Sequence, residues 1–161
     1  MKLSAQEEYG LRCLVRMGFS GYGGTLTIPE ISRTEGLSEA YVAKLMRVLR
    51  RGGLVTSVRG QAGGYTLARQ PQRINIGEAL TVLGGRFFEG EFCNDHAGAA
   101  HVCTHSIDCS IRSLWRTVQS VVDQVLAKTT LQDMLCSEEQ MTTWVNGLVT
   151  VVLDPTRIGL N

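Results

Sequence analysis

Three cysteines lie close together in the second half of the chain, in a stretch without the periodicity of a helix or a strand. Nine residues separate Cys93 from Cys103, and five separate Cys103 from Cys109. Thiolates are soft ligands that bind iron–sulfur clusters and zinc, and they are also the cysteine form that oxidants attack. The spacing therefore predicts a metal centre or redox-sensitive thiols in a loop that covers residues 86–109.

The same stretch contains His96, His101 and His105, and a set of three cysteines and one histidine suits tetrahedral zinc. The residues alone thus leave three alternatives: an iron–sulfur cluster, a zinc site, and thiol sensing without a metal.

Of the five cysteines, Cys13 falls among the apolar positions of a predicted helix and Cys136 follows a short helix. We interpret these two as packed thiols, and the odd number argues against a disulfide framework.

A second group of residues could bind phosphates. The chain has a net charge of only +1, but residues 33–73 are strongly basic. A local basic excess on a nearly neutral protein is typical of a nucleic-acid-binding surface, although a solvated charged face would have the same composition. The segment has eight basic residues against two acidic ones: Arg33, Lys44, Arg47, Arg50, Arg51, Arg59, Arg69 and Arg73 against Glu35 and Glu39.

The elements that position these residues can be predicted from capping and turn signals. Residues that can cap a helix are followed three positions later by Glu or Gln at residues 4, 27, 75 and 137. Helices are predicted over 5–18, over 28–33, and from Ser38 to a stop at Gly52 and Gly53. Two short strands, 54–58 and 65–68, flank a glycine-rich loop. The pattern predicts a mainly α fold with a small β-hairpin wing, a winged helix-turn-helix.

A long amphipathic helix is predicted over 110–128, after a short helix over 75–83, and a final helix covers 137–151. The apolar stripe of the helix over 110–128 is too wide to face water, so we expect a second copy of the chain to cover it. The predicted organisation is a DNA-binding domain (1–85), a cysteine-containing loop (86–109), and a dimerisation helix with a C-terminal helix (110–161). The stripe consists of Ile111, Leu114, Trp115, Val118, Val121, Val122, Val125 and Leu126.

Several segments match a known family. They are the opening MKLSAQEEYGLR, the wing LRRGGLVTSVRGQAGGYTLAR, the helix start INIGEAL, the three-cysteine loop, and SLWRTV in the long helix. On these segments residues 1–135 resemble the Rrf-two winged-helix transcription regulators of the iron–sulfur type (IscR/NsrR-like). The resemblance implies a homodimer that regulates transcription. Its promoter binding would be controlled by a cluster sensitive to redox state, oxygen or nitric oxide.

The resemblance also implies the ligands of that cluster. Cys93, Cys103 and Cys109 would hold it, with 2Fe–2S favoured and 4Fe–4S as the alternative. The first gap between cysteines is longer here than the five residues common in the family. Arg112 stands where one branch of the family has a histidine. In another branch an acidic residue of the first helix reaches the cluster across the dimer, and Glu8 matches that position. The resemblance therefore implies Glu8 of the partner chain as the fourth ligand, with the three loop histidines as rivals.

The family's mode of DNA binding carries over to two segments. The recognition helix, 38–51, is expected in the major groove of double-stranded promoter DNA, and the wing is expected at the minor groove or the backbone. The residues assigned to DNA binding are Ser38, Tyr41, Lys44, Arg47, Arg59, Gly60, Gly63 and Gly64.

Other classes of protein are disfavoured. No apolar run reaches the roughly 18 to 20 residues of a membrane span, and the charged N-terminus leads us to expect a cytoplasmic protein with no membrane partner. The sequence has no Walker loop, dinucleotide fingerprint or Ser/His/Asp arrangement, so we predict no enzymatic activity. The alternatives to a cluster-controlled regulator are a cluster-free thiol or zinc-containing regulator, and an electron-transfer protein on a winged-helix scaffold.

Overall fold

The computed structural model describes residues 3–60, 63–84, 103, 105 and 108–152, with side chains to residue 150. These residues form six α-helices, two short 3-10 helices at Pro71–Arg73 and Gln132–Met134, and one two-stranded antiparallel sheet. The predicted mainly α fold with a β-hairpin is thereby confirmed. In chain order the main elements are α1 (Ala5–Phe19), α2 (Ile28–Glu35), α3 (Glu39–Arg51), β1 (Val55–Val58), β2 (Gly64–Leu67), α4 (Ile76–Leu83), α5 (Ser110–Lys128) and α6 (Glu138–Val152).

Reciprocal side-chain caps fix the starts of the first two helices. The Glu7 carboxylate accepts a hydrogen bond from the Ser4 backbone at 2.7 Å, and the Ser4 hydroxyl accepts one from the Glu7 backbone at 3.3 Å. Thr27 and Glu30 form the same capping box at α2. Both predicted starts are confirmed, because each cap satisfies backbone N–H groups that would otherwise lack a partner. The predicted ends were one residue short for α1 and two for α2.

The wing is the β1–β2 hairpin. Val55 pairs with Leu67, and the register continues to Val58 opposite Gly64. Leu26, which precedes α2, forms an isolated bridge to Tyr65 with N···O distances of 2.9 and 2.8 Å. The loop before α2 thus supports the outer edge of the wing and connects it to the helix-turn-helix.

The core lies where α1, α3 and α4 converge. Two glycines permit the close approach: a Cβ at Gly10 would meet Leu83, and a Cβ at Gly52 would meet Val82. Helix α4 therefore packs against both α1 and the end of α3. The fully buried large side chains are Leu14, Met17, Ile31, Val42, Leu45, Met46, Leu49, Leu54, Val55, Ile74, Leu83 and Leu131.

Helix α5 has the predicted bounds, and it leaves this core with part of its apolar stripe uncovered. Its C-terminal end contacts α4, and α6 packs along it. In the N-terminal half, Ile111 is 61% exposed, Leu114 58% and Trp115 39%. Dimerisation through α5 stays a prediction. None of the helices in the described ranges is long and apolar enough to cross a membrane.

Candidate nucleic-acid interface and thiol site

Helix α3 separates a buried face from a basic one. Ser38 caps the helix, since its hydroxyl accepts a hydrogen bond from the Tyr41 backbone at 3.3 Å. Lys44 and Arg47 are exposed three residues apart, so they lie on one side of the helix. The opposite side is anchored in the core by Val42, Leu45, Met46 and Leu49. Residues 38–40 at the start of α3 are also exposed. An α-helix with a basic exposed face and an exposed first turn can enter the major groove of DNA.

Tyr41, one of the residues assigned to DNA binding, does not extend freely into solvent. Its side chain is half-buried and packs against the core. The ring meets that of Tyr9 edge to face, with centroids 6.0 Å apart and planes at 85°. The guanidinium carbon of Arg12 lies 5.5 Å from the Tyr9 ring centroid. Tyr41 therefore joins the start of the recognition helix to α1, since aromatic and cation–π contacts of this kind are attractive.

Helix α2 is connected to α1 by one carboxylate that forms ion pairs with two arginines. Glu35, whose side chain is only 9% exposed, lies 3.1 Å from Arg12 Nε and 2.9 Å from Arg16 Nε. Arg12 also donates a hydrogen bond to the Glu35 carbonyl at 3.0 Å. A nearly buried carboxylate needs such partners, so this cluster sets the position of α2 before the turn into α3. In the sequence Glu35 is visible only as a charge, because its partners lie 19 and 23 residues away.

The wing tip is a tight turn built from glycine backbone. Gly60 has φ +114°, a conformation that side chains rarely adopt. At Gly63 a Cβ would lie 2.7 Å from the Gly60 carbonyl oxygen, and at Gly64 it would lie 2.5 Å from that of Leu26. Arg59 is exposed beside this turn. Arg59 therefore lies beside glycines that allow the backbone to approach a phosphate closely; residues 61 and 62 lie outside the described ranges.

The cysteine loop is described only in part. Cys93, His96 and His101 lie outside the residues that the structure describes, whereas Cys103 is half-buried and His105 is exposed. Glu8 is exposed on α1. Across the described part of the chain no three His, Cys, Asp or Glu side chains come together as a metal site.

Cys109 is the residue of this loop whose surroundings are clearest. It is half-buried and caps the N-terminus of α5, where its Sγ accepts a hydrogen bond from the Arg112 backbone at 3.3 Å. Its sulfur therefore lies where the cysteine loop meets α5, and cysteine sulfur is a ligand for iron and zinc. The spacing of the cysteines indicates Cys109 as a candidate ligand, but it does not indicate its capping role.

The two remaining cysteines occupy different surroundings. Cys13 is fully buried, and burial, with the charge of Glu35 as the next cause, raises the pKa of its thiol to about 12. Cys136 is half-buried, and its Sγ donates a hydrogen bond to the Asp133 carbonyl at 3.0 Å. The prediction that Cys13 is a packed thiol is confirmed by its burial.

Comparison with known proteins identifies the family. Residues 3–137 match the Rrf2 family, described as an iron-dependent transcriptional regulator. The chain is 34% identical over 134 residues to the HTH-type transcriptional regulator CymR of Bacillus subtilis, covering 83% of this chain and 89% of that protein. It is 27% identical over 139 residues to the regulator IscR of Aliivibrio salmonicida, covering 86% and 80%.

Solved structures agree with this assignment. The structure of CymR (YrzC), the global cysteine regulator of B. subtilis, has a TM-score of 0.64 at 31% identity, covering 84% of this chain and 96% of that one. T. potens IscR has a TM-score of 0.66 at 34% identity, covering 84% and 86%. Rrf2 winged-helix regulators bind DNA. The winged helix-turn-helix, its basic face and the family match agree, and the chain belongs to the Rrf2 family of transcriptional regulators.

Proposed function

We propose that this regulator binds promoter DNA as a homodimer and that an iron–sulfur cluster controls the binding. The observation that carries the proposal is the position of Cys109. Its thiol caps the long helix α5 at the point where the cysteine loop joins that helix. A change in the ligation of this thiol would therefore act directly on the first turn of α5.

The proposed DNA surface combines α3 and the wing. Lys44 and Arg47 lie on the exposed side of α3, and Arg59 lies on the hairpin that follows it. Ser38 is exposed at the first turn of α3, while Tyr41 would act mainly by holding that turn against α1. Gly60, Gly63 and Gly64 lack side chains, which allows the backbone at these positions to approach DNA closely. We assign residues 1–85 to this DNA-binding domain.

The proposed ligands are Cys93, Cys103 and Cys109, with Glu8 of the second copy in the fourth place. Thiolates suit an iron–sulfur cluster, and an oxygen ligand is accepted where a fourth thiolate is lacking. Within the described ranges the Glu8 carboxylate makes no hydrogen bond or ion pair, so it is free to serve another chain. When bound, the cluster would supply a centre whose redox state or loss changes the charge and shape of this loop.

Dimerisation is assigned to α5. Ile111, Leu114 and Trp115 form an exposed apolar surface on the side that α6 and the core leave open. A Leu114→Glu variant should sediment as a folded monomer, because the side chain is 58% exposed in the single chain and the new charge would be buried only at a dimer interface. Exposed Gln124 on the same helix provides the matched control, Gln124→Glu, which should remain a dimer. A dimeric Leu114→Glu variant would remove α5 from the interface.

An absorption spectrum of the anaerobically purified protein tests the cluster. We expect charge-transfer bands between about 320 and 460 nm. Cys93→Ala, Cys103→Ala and Cys109→Ala should each abolish or strongly weaken them, because thiolates supply most of the affinity. Cys136→Ala is the control and should keep the bands. Glu8→Ala should retain some cluster with a shifted spectrum, as another ligand takes the fourth place.

A cluster-free thiol regulator is the second candidate, and the similarity to CymR, a global cysteine regulator, favours it. A colourless protein whose DNA affinity changes reversibly on oxidation would support this candidate and contradict the cluster. A colourless protein that contains zinc would support a zinc site with a loop histidine. Cluster bands whose loss leaves DNA affinity unchanged would contradict control by the cluster and favour an electron-transfer role.

A further inference from the structure

Asn75 makes hydrogen bonds at the ends of two different helices. Its Oδ1 accepts from the Glu78 backbone at 3.2 Å and so caps the start of α4. Its Nδ2 lies 3.1, 2.9 and 3.1 Å from the carbonyl oxygens of Leu126, Ala127 and Thr129 at the end of α5. The last carbonyls of a helix have no partner within it. The Asn75 carboxamide therefore satisfies a backbone N–H at the N-terminus of α4 and backbone carbonyls at the C-terminus of α5.

Backbone contacts on either side make this junction rigid. The Ile76 N–H donates to the Thr129 carbonyl at 2.9 Å, and the Leu131 N–H donates to the Ile74 carbonyl at 2.8 Å. A Cβ on Gly77 would lie 3.4 Å from Leu126 Cβ, which shows how closely the two helices approach. The end of α5 is thus fixed against the first turn of α4.

Helix α4 in turn contacts each DNA-binding element. Glu78 pairs with Arg69 at 2.7 Å, just beyond the wing strand β2. Val82 packs on Gly52 at the end of the recognition helix α3. The first and last turns of α4 therefore connect α5 with the wing and with α3. Through these contacts of α4, a change in the orientation of α5 would reach both the wing and α3.

We propose that Asn75 is a positioning residue that sets the orientation of the DNA-binding domain on α5. This rests on the proposed function, in which α5 joins two copies of the chain. In such a dimer the angle between α5 and the domain decides the separation of the two recognition helices. The separation must match the spacing of the two half-sites for both to bind at once.

Two substitutions isolate the bonds to α5. Asn75→Asp keeps an N-cap acceptor of equal quality and loses both N–H donors. Asn75→Ser also keeps a cap but is too short to reach the α5 carbonyls, and it adds no charge. Asn146→Asp is the matched control: this asparagine is exposed on α6, and the change adds the same charge there.

The assay compares two duplexes. One is selected by the wild-type protein from a random-sequence pool and has two half-sites, and the other is the same duplex with one half-site scrambled. Both Asn75 variants should lose about ten-fold or more in affinity for the two-site duplex and stay within about two-fold for the one-site duplex, because only simultaneous binding depends on the orientation. Asn146→Asp should match the wild type on both.

Equal losses on both duplexes would show a general structural role and overturn the proposal, as would unchanged affinity for the two-site duplex. Loss of the helical circular dichroism signal in both Asn75 variants would show that the residue is needed for folding itself, which also overturns a positioning role. A wild-type protein that gains nothing from the second half-site would contradict the dimer of the proposed function. That failure of the proposed function is distinguishable from a failure of the Asn75 proposal, because it appears in the wild-type protein without any variant.

Discussion

The thiol of Cys13 should be almost inert in the native protein. Its side chain is fully buried, and burial together with the charge of Glu35 raises its pKa from 9.0 to about 12. Only the thiolate reacts with alkylating agents. At pH 8 a pKa near 9 gives a thiolate fraction of roughly 0.1, whereas a pKa near 12 gives about 10⁻⁴. Ionisation alone should therefore slow the reaction about 1,000-fold.

Alkylation by iodoacetamide at pH 8, followed by mass spectrometry of the Cys13 peptide, measures this effect. The rate in the native protein is compared with that in guanidinium chloride, where the thiol is exposed. Half-buried Cys136 serves as an internal comparison in the same sample and should react faster than Cys13. A native Cys13 rate within ten-fold of the denatured rate would refute the reasoning.

The same pKa predicts how stability depends on pH. The native state keeps the Cys13 proton between pH 9 and about 12, while the unfolded chain loses it above pH 9. The contribution of this group is therefore complete below pH 9 and decreases as pH rises. Between pH 8 and 10 the wild type should lose about 1.4 kcal/mol more unfolding free energy than Cys13→Ala. Denaturant titrations measure the unfolding free energy of both proteins at each pH. Unfolding free energies that change equally with pH in the wild type and in Cys13→Ala would contradict this.

Three further substitutions test the fold and the DNA surface. Arg59→Ala should reduce the magnitude of the salt dependence of DNA binding by about one unit in a log–log plot if this side chain contacts a phosphate; an unchanged slope would remove it from the contact surface. Glu35→Ala should lower the free energy of unfolding by about 1 to 2 kcal/mol in urea titrations, since it leaves two half-exposed arginines without their nearly buried partner. Leu49→Ala should cost about 2 to 5 kcal/mol because it leaves a cavity in the core beneath α3, and a smaller loss would mean that the site collapses around the missing atoms.

Much of the fold that carries the candidate site could be predicted from the sequence because its signals are local. The caps at Ser4 and Thr27 bond to residues three positions away, so a short sequence window contains both partners. The glycines between the two wing strands are an equally local signal. The bounds of α5 follow from its apolar periodicity, which continues without interruption from Ser110 to Lys128.

The residues with distant partners could not be predicted in this way. Tyr41 has a polar group and a helical position that suits DNA, but its ring packs against Tyr9, 32 residues earlier by their numbering. Glu35 lies in a basic stretch, and the sequence does not indicate that it pairs with two arginines of α1. The spacing of the cysteines predicts Cys109 as a candidate ligand, while its capping of α5 depends on the path of the chain into that helix.

The sequence by itself determined which segments are helix, turn and wing, and it carried the motifs that mark the family. It determined these because capping, periodicity and glycine conformation act over a few neighbouring residues. Only the tertiary structure decided which faces are buried and which helix ends meet. Asn75 shows the difference: its cap to α4 spans three residues, whereas its bonds to α5 span 51 to 54. Such contacts form only when packing brings distant segments together, so no local pattern can contain them.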